Sequence, residues 1–185
     1  MVISKFRSLT ICTLLMMASP IGSLVATAST APHEGDVAIS FNVGFANAFD
    51  DTFDDVESVF TGTVEYYTTP RVSWRGLLGV TSFDSDLSGS PGLDTTFVNG
   101  NIVYNWEGGK IHPYVTAGLG IYDKNGSSGL PSRFDETVVG ANAGGGIDWF
   151  LGARWALKFE GTLHGLTGED PGTVALGTAG VIFWF

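Results

Sequence analysis

The chain has 185 residues, of which 15% are charged and 12% aromatic, and its formal net charge is −10. Few charges and many aromatic rings exclude a disordered chain, because disordered chains are rich in charge and poor in aromatics. Nine basic against 19 acidic residues argue against a nucleic-acid partner, and a single cysteine excludes a disulfide scaffold.

The first 28 residues are predicted to be a secretory signal peptide. Lys5 and Arg7 precede an apolar stretch, and Ala26-Thr27-Ala28 supplies the small residues of a cleavage site. The alternative is a helix that anchors the chain in the membrane. It is disfavoured because Pro20 interrupts the apolar stretch. We therefore expect an exported protein.

After a short segment, 29–35, residues 36–185 are predicted to form one all-β domain. Apolar side chains alternate with small or polar ones with a period of two, most clearly from Lys110 to Tyr122. Each alternating segment has about 11–13 residues, which is enough for a tilted strand to cross a bilayer. The eight predicted strands cover residues 36–46, 58–68, 71–82, 95–106, 110–122, 137–149, 153–164 and 173–185.

The predicted connections alternate in length, and the long ones are rich in Asp, Ser, Gly and Pro. An even strand number with this alternation is the layout of an up-and-down transmembrane β-barrel, which has short periplasmic turns and longer extracellular loops. Both termini then lie in the periplasm. The long connections cover residues 47–57, 83–94, 123–136 and 165–172, and the short ones are Thr69-Pro70, Glu107-Gly108-Gly109 and Phe150-Leu151-Gly152.

Alternation by itself does not distinguish a membrane barrel from a soluble, lipocalin-like barrel, whose apolar face points inward. The less apolar face here is mostly Gly, Ser, Thr, Asn and Ala. Such residues suit the narrow lumen of eight strands better than a water-facing surface. Aromatic residues of the apolar face also gather near the short connections, as they do at a membrane interface. This predicted periplasmic girdle consists of Tyr66, Trp74, Trp106, Trp149 and Trp155.

The last predicted strand contains Thr178-x-Gly180-x-x-Phe183-x-Phe185. This pattern resembles the C-terminal signal that the barrel-assembly machinery reads during insertion of outer-membrane barrels. The stretch Pro113-Tyr114-Val115-Thr116-Ala117-Gly118-Leu119-Gly120 is similar to a fifth-strand motif of the same superfamily. The chain thus resembles the small eight-stranded barrels of the OmpA-transmembrane and OmpX type. We expect a monomer without a cofactor in the outer membrane of a Gram-negative bacterium, surrounded by outer-membrane lipid and lipopolysaccharide.

Seven charged residues fall on the face that would point into the lumen. A lone charge in a narrow lumen is costly, so these side chains are expected to pair. Glu65 can face Arg75 across the Thr69-Pro70 turn, and Asp148 can face Arg154 across a later turn. The resemblance implies either a plug or a narrow polar conduit, and the small lumen favours the plug. The predicted lumen charges are Glu65, Arg71, Arg75, Asp148, Arg154, Lys158 and Glu160.

The sequence contains no recognisable catalytic motif. Outer-membrane lipid A deacylases resemble this chain in size and use a His and a Ser two residues apart on one strand face. None of His33, His112 and His164 is followed by Ser at that spacing. A rim dyad of His164 with Glu169 or Asp170 is the remaining enzymatic alternative, and it lacks a nucleophile. We therefore expect no enzymatic activity.

The long connections are acidic, and the segment 50–57 contains five carboxylates. Converging carboxylates can hold a divalent cation that bridges to lipopolysaccharide. A solvated, repulsive surface is the simpler interpretation, because the spacing does not match a calcium loop. The sequence therefore predicts a structural or surface-interaction role. The alternatives are a narrow porin-like channel, a lipid A-modifying enzyme and a soluble lipocalin-like binder.

Overall fold

The computed structural model describes residues 32–49, 56–83, 93–106, 109–126, 136–168 and 172–185. The predicted signal peptide, 1–28, and most of the acidic residues of the predicted loops lie outside these ranges. Among the described residues, no helix is long and apolar enough to cross a membrane. The strands are β1 (Val37–Ala48), β2 (Glu57–Tyr67), β3 (Val72–Phe83), β4 (Leu93–Asn105), β5 (Ile111–Gly126), β6 (Glu136–Phe150), β7 (Trp155–Leu166) and β8 (Thr173–Trp184).

These strands form one closed antiparallel barrel in which each strand pairs with its neighbours in the sequence. The barrel closes where β1 pairs with β8, for example at Val43 and Ala179. Closure leaves no free sheet edge, so every strand has hydrogen-bonding partners on both sides. The predicted eight-stranded up-and-down barrel is therefore confirmed, whereas the lengths of its loops stay a prediction.

The observed strand bounds agree with the predicted ones to within a few residues. The largest difference is in β5, which ends at Gly126 rather than Tyr122 and still pairs with Leu93 of β4. Asp123 and Lys124, at the start of the predicted connection 123–136, interrupt the apolar alternation. Backbone pairing does not depend on that alternation, so the ladder continues beyond it.

The apolar face of the sheet points outward. Phe41 and Leu119 are 69% and 71% exposed, whereas Asn42, next to Phe41 in the sequence, is 6% exposed. The same alternation runs along every strand, with mostly polar or small residues inward. A soluble barrel with an apolar interior would show the opposite arrangement. The lipocalin-like alternative is therefore excluded for this fold.

The two ends of the barrel differ. We call the end that carries the β2–β3, β4–β5 and β6–β7 connections the turn end, and the opposite one the loop end. Pro32 and Phe185, the outermost described residues, both lie at the turn end, where the Phe185 amide donates to the Val37 carbonyl at 2.8 Å. Gly109, just before β5, has a φ of +72°. L side chains rarely adopt this conformation, so the turn depends on glycine.

We predict that an outward Arg is tolerated near a barrel end and not at mid-height. Leu119 and Ile111 lie on the same face of β5, Leu119 near its middle and Ile111 at its start. Leu119→Arg should cost about 2–4 kcal/mol of unfolding free energy, and Ile111→Arg no more than about 1 kcal/mol. Urea unfolding in phospholipid vesicles, followed by tryptophan fluorescence, measures both. Equal losses in the two variants would contradict burial of this face in hydrocarbon.

Candidate functional site in the barrel lumen

Inward side chains fill the lumen in layers along the barrel axis. Two layers are apolar, and polar and charged side chains lie between them. The turn-end layer consists of Ala38, Tyr67, Phe150, Ala156, Ile182 and Trp184. The loop-end layer consists of Ala46, Val59, Leu77, Phe97, Tyr122, Val138 and Leu176.

Next to the turn-end layer is a group of five charged side chains, which we call the lumen cluster: Glu65, Arg75, Asp148, Lys158 and Glu160. Strand register places Glu65 opposite Arg75 and Asp148 opposite Lys158. Arg75 Nε donates to Glu65 Oε1 at 2.7 Å, and Arg75 Nη1 pairs with Glu160. Lys158 Nζ lies 3.4 Å from Glu65 Oε1 and 3.3 Å from Asp148 Oδ1. The cluster therefore links β2, β3, β6 and β7 across the lumen.

Tyr114 of β5 extends this network; the sequence placed it in the fifth-strand motif and did not indicate a role in the lumen. Its hydroxyl donates to Glu160 Oε2 at 2.8 Å. Lys158 Nζ lies 4.2 Å, and the guanidinium carbon of Arg75 5.1 Å, from the centre of its ring. Cations at this distance are attracted to the ring face. Gly146 makes the room, because a side chain there would collide with the Tyr114 hydroxyl.

The structure brings together five of the seven predicted lumen charges. The pairing of Glu65 with Arg75 is found as predicted. Arg71 and Arg154 are exposed in the segments just before β3 and β7 and do not belong to the cluster. The predicted pair of Asp148 with Arg154 is wrong, because the register places Lys158 opposite Asp148 and leaves Arg154 in the turn.

The predicted girdle residues all point outward near the turn end. Their exposed fractions range from 38% for Trp155 to 57% for Trp74. Trp184 has the opposite orientation and stacks on Phe150 inside the turn-end layer, with 4.8 Å between ring centres. That the outward rings lie at the membrane interface stays a prediction. The members are Tyr66, Trp74, Trp106, Trp149 and Trp155.

The residues of the predicted C-terminal assembly signal alternate between the two faces of β8. Phe183 and Phe185 point outward and are 44% and 72% exposed. Thr178 and Gly180 lie on the inward face, where a side chain at Gly180 would collide with Asn42 of β1. Glycine at this position lets the last strand close against the first. Recognition of the segment by the assembly machinery stays a prediction.

Amides and hydroxyls occupy the middle of the lumen. Asn101 donates to the Asn142 side-chain oxygen at 2.6 Å and to Thr116 Oγ1 at 3.1 Å. Both polar atoms of the Asn99 amide and Oδ1 of Asn42 are buried without a partner in the described part of the chain. Buried amides of this kind are satisfied by internal water. The middle layer is therefore polar enough to hold water between two apolar layers.

His164 makes two hydrogen bonds inside the lumen, beside the loop-end layer. Its Nδ1 lies 2.7 Å from the Tyr122 hydroxyl and its Nε2 2.9 Å from Thr162 Oγ1. A hydroxyl hydrogen-bonded to a histidine has the geometry of an activated nucleophile. Thr162 lies two residues before His164, so the pattern of His followed by Ser does not include it. His164 is only 3% exposed and packs edge-on against Phe97. The pair faces the lumen, away from the surface where lipid would bind.

The predicted cation site cannot be located, because Asp50, Asp51, Asp54 and Asp55 lie outside the described residues. So do Glu169 and Asp170, the proposed partners of His164. In the ranges that the structure describes, no group of three or more His, Cys, Asp or Glu side chains is placed to hold a metal ion.

We predict that the two arginines Arg75 and Arg154 differ sharply in their contribution to stability. Arg75→Leu leaves Glu65 and Glu160 buried without their guanidinium partner and should cost about 3–5 kcal/mol. Arg154→Leu, on an exposed turn, should leave the free energy of unfolding unchanged within error. The measurement is urea unfolding in detergent micelles, with cold-SDS gel migration as a second readout. A similar loss in both variants would mean that the cluster does not stabilise the barrel.

Comparisons with known proteins agree with this architecture. The model of the outer membrane protein beta-barrel domain matches residues 11–183. Neisserial surface protein A is 14% identical, with 82% of this chain and 100% of that chain covered and a TM-score of 0.67. Ail, the attachment invasion locus protein of Yersinia pestis, solved with the heparin analogue sucrose octasulfate, is 15% identical, with coverages of 82% and 99% and a TM-score of 0.60.

The outer membrane enzyme PagL has the same fold, at 11% identity, with coverages of 79% and 98% and a TM-score of 0.51. Likeness at these identities establishes the fold and leaves the activity open. A comparison with curated proteins finds no match. The family model covers nearly the whole chain, and its expectation of a closed antiparallel barrel agrees with the structure. The chain therefore belongs to the outer membrane protein β-barrel family.

Proposed function

We propose that this protein is a non-enzymatic outer-membrane barrel with a closed lumen, and that it acts through the surface of its loop end. The barrel supplies a stable anchor in the membrane, and the loops supply the contacts. The observation that carries this proposal is the filling of the lumen. In the described part of the chain, one apolar layer lies toward each end of the lumen, with the lumen cluster between them.

The size of the lumen supports closure. Eight strands leave an interior only just wide enough for side chains. Here long side chains cross it: Arg75 on β3 reaches Glu160 on β7, and Lys158 on β7 reaches Glu65 on β2. Ion pairs that span the lumen occupy the space that a conducting path would need. A narrow channel is therefore the less favoured alternative.

The negative charge of the loop-end segments favours some surface partners over others. The segments that connect the strands there are rich in Asp and Glu, and the whole chain has a net charge of −10. Such a surface repels polyanions such as the heparin analogue found with Ail. We therefore favour a cationic partner. An anionic partner such as lipopolysaccharide would need divalent cations to bridge it to the loops.

The outer surface supports the proposed surroundings of the protein. Large apolar side chains are exposed on all eight strands, and water does not favour so large an apolar surface. Outer-membrane lipid and lipopolysaccharide would cover it, and a monomer would leave it fully available to them. The assembly machinery would act on β8 during insertion. No cofactor has a role in this proposal.

We predict that the purified protein gives no conductance steps in planar bilayers. Cold-SDS migration of the same preparation serves as the control that folded barrel is present, since a closed barrel resists SDS until it is heated. Stepwise conductance would contradict a closed lumen if its ion preference changed in Lys158→Gln and not in Arg154→Gln. Such a change would locate a conduit at the lumen cluster.

We also predict that expression of the protein leaves lipid A unchanged. Thr162 and His164 face the lumen, so lipid held against the outer surface has no access to them. Mass spectrometry of lipid A from cells with and without the protein makes the comparison. A mass difference that disappears in His164→Ala, with equal amounts of folded barrel, would establish an enzyme instead.

A further inference from the structure

The lumen cluster contains unequal numbers of acidic and basic groups. Three carboxyl groups, those of Glu65, Asp148 and Glu160, share two cations, Arg75 and Lys158. If all five were ionised, the cluster would have a net charge of −1 between two apolar layers. An uncompensated charge in such surroundings is costly, and a group in this position is neutralised instead. Either one of the carboxyl groups or a nearby base must therefore bind a proton to balance this charge.

The three carboxyl groups are held very differently. Glu65 accepts from Arg75 at 2.7 Å and from Ser73 at 3.0 Å, and it also faces Lys158. Glu160 pairs with Arg75 and accepts from Tyr114. Asp148 has one partner among the described residues, Lys158 at 3.3 Å, and it shares that ammonium with Glu65. Asp148 is therefore the carboxyl group whose negative charge is least compensated.

His112 is the other group that could supply a positive charge, because it lies directly opposite Asp148 in the β5–β6 register. Its Nε2 lies 3.1 Å from the Gly109 carbonyl, and its ring packs on Phe150 with 4.5 Å between ring centres. No ion pair joins His112 to Asp148 within the described ranges. The ring is thus oriented toward the turn and away from the cluster.

Among the residues that the structure describes, no cation other than Arg75 and Lys158 faces Asp148. The titratable and charged groups that face it come from four strands. They are Glu65 and Tyr67 on β2, Arg75 on β3, His112 and Tyr114 on β5, and Lys158 and Glu160 on β7.

We propose that the lumen cluster is a proton-binding site, in which Asp148 is a neutral carboxylic acid in the folded barrel at pH 7. The bound proton makes the number of negative charges equal to the number of positive ones. Lys158 then pairs mainly with Glu65, and Asp148 accepts a hydrogen bond from it through its carbonyl oxygen.

Protonation of Asp148 makes the stability of the barrel depend on pH. Near pH 6 a carboxyl group of the unfolded chain is ionised, so unfolding releases the proton of Asp148. The folded state binds one proton more, and stability therefore falls as the pH rises. The contribution of this group to the unfolding equilibrium constant grows by up to about tenfold per pH unit between pH 5 and 7. In Asp148→Asn this contribution is absent.

The test compares the wild-type protein with Asp148→Asn and with Glu65→Gln as the matched control. Asparagine has the shape of a neutral aspartic acid, so Asp148→Asn should be at least as stable as the wild type at pH 7. Its unfolding constant should also rise less steeply with pH. Glu65→Gln should lower stability, because it removes the carboxylate that both cations share. Urea unfolding in detergent micelles at several pH values gives these constants.

Infrared spectroscopy of the folded wild-type protein at pH 7 provides a readout that does not depend on any variant being stable. The C=O stretching band of a protonated carboxyl should be present, should vanish in Asp148→Asn and should persist in Arg154→Gln, a substitution outside the cluster that leaves its charges unchanged. Absence of the band in the wild type would overturn the proposal. So would a loss of stability in Asp148→Asn as large as that in Glu65→Gln. Both readouts are independent of conductance, so they do not share an outcome with the test of the closed lumen.

Discussion

The arrangement of Arg75 with Glu65 and Glu160 is the interaction on which the interior of this barrel depends. It joins β3 to the neighbouring β2 and, across the lumen, to β7. Backbone hydrogen bonds close the wall but do not determine what fills it, and a bilayer offers no water to buried polar groups. A charged side chain that enters the lumen must therefore find its partners there. In this protein a single guanidinium satisfies two carboxylates, and Lys158 and Tyr114 complete the network.

Glycine makes this filling possible. Eight strands enclose too little space for large side chains on every inward position. Gly146 leaves the space into which Tyr114 extends, and Gly180 leaves the space for Asn42. Gly146 and Gly180 thus have a packing role in the lumen, whereas Gly109 has a conformational role in a turn. The outward face needs no such complementarity, because lipid chains adapt to its shape.

The barrel fold is compatible with several functions, and the side chains that fill the lumen favour some of these functions over others. Similar barrels include a surface protein, an attachment protein and an enzyme. In this chain the five charged side chains of the lumen cluster face inward, and so do Thr162 and His164. Chemistry directed at lipid would need them on the other face, and conduction would need a continuous path. This arrangement supports the proposed role at the loop end.

The sequence by itself determined the number of strands, which face of each strand is apolar, and the pairing of Glu65 with Arg75. These features depend on a period of two and on a hairpin closed by a short turn, so residues close in sequence decide them. The partner of Asp148 was decided by the register of β6 against β7, which placed Lys158 opposite it and left Arg154 in the turn. The contact of Arg75 with Glu160 and that of Tyr122 with His164 join distant strands. Only closure of the barrel brings such residues together. The alternation within a strand determines which face a side chain occupies, but it does not determine which side chain lies opposite across the lumen.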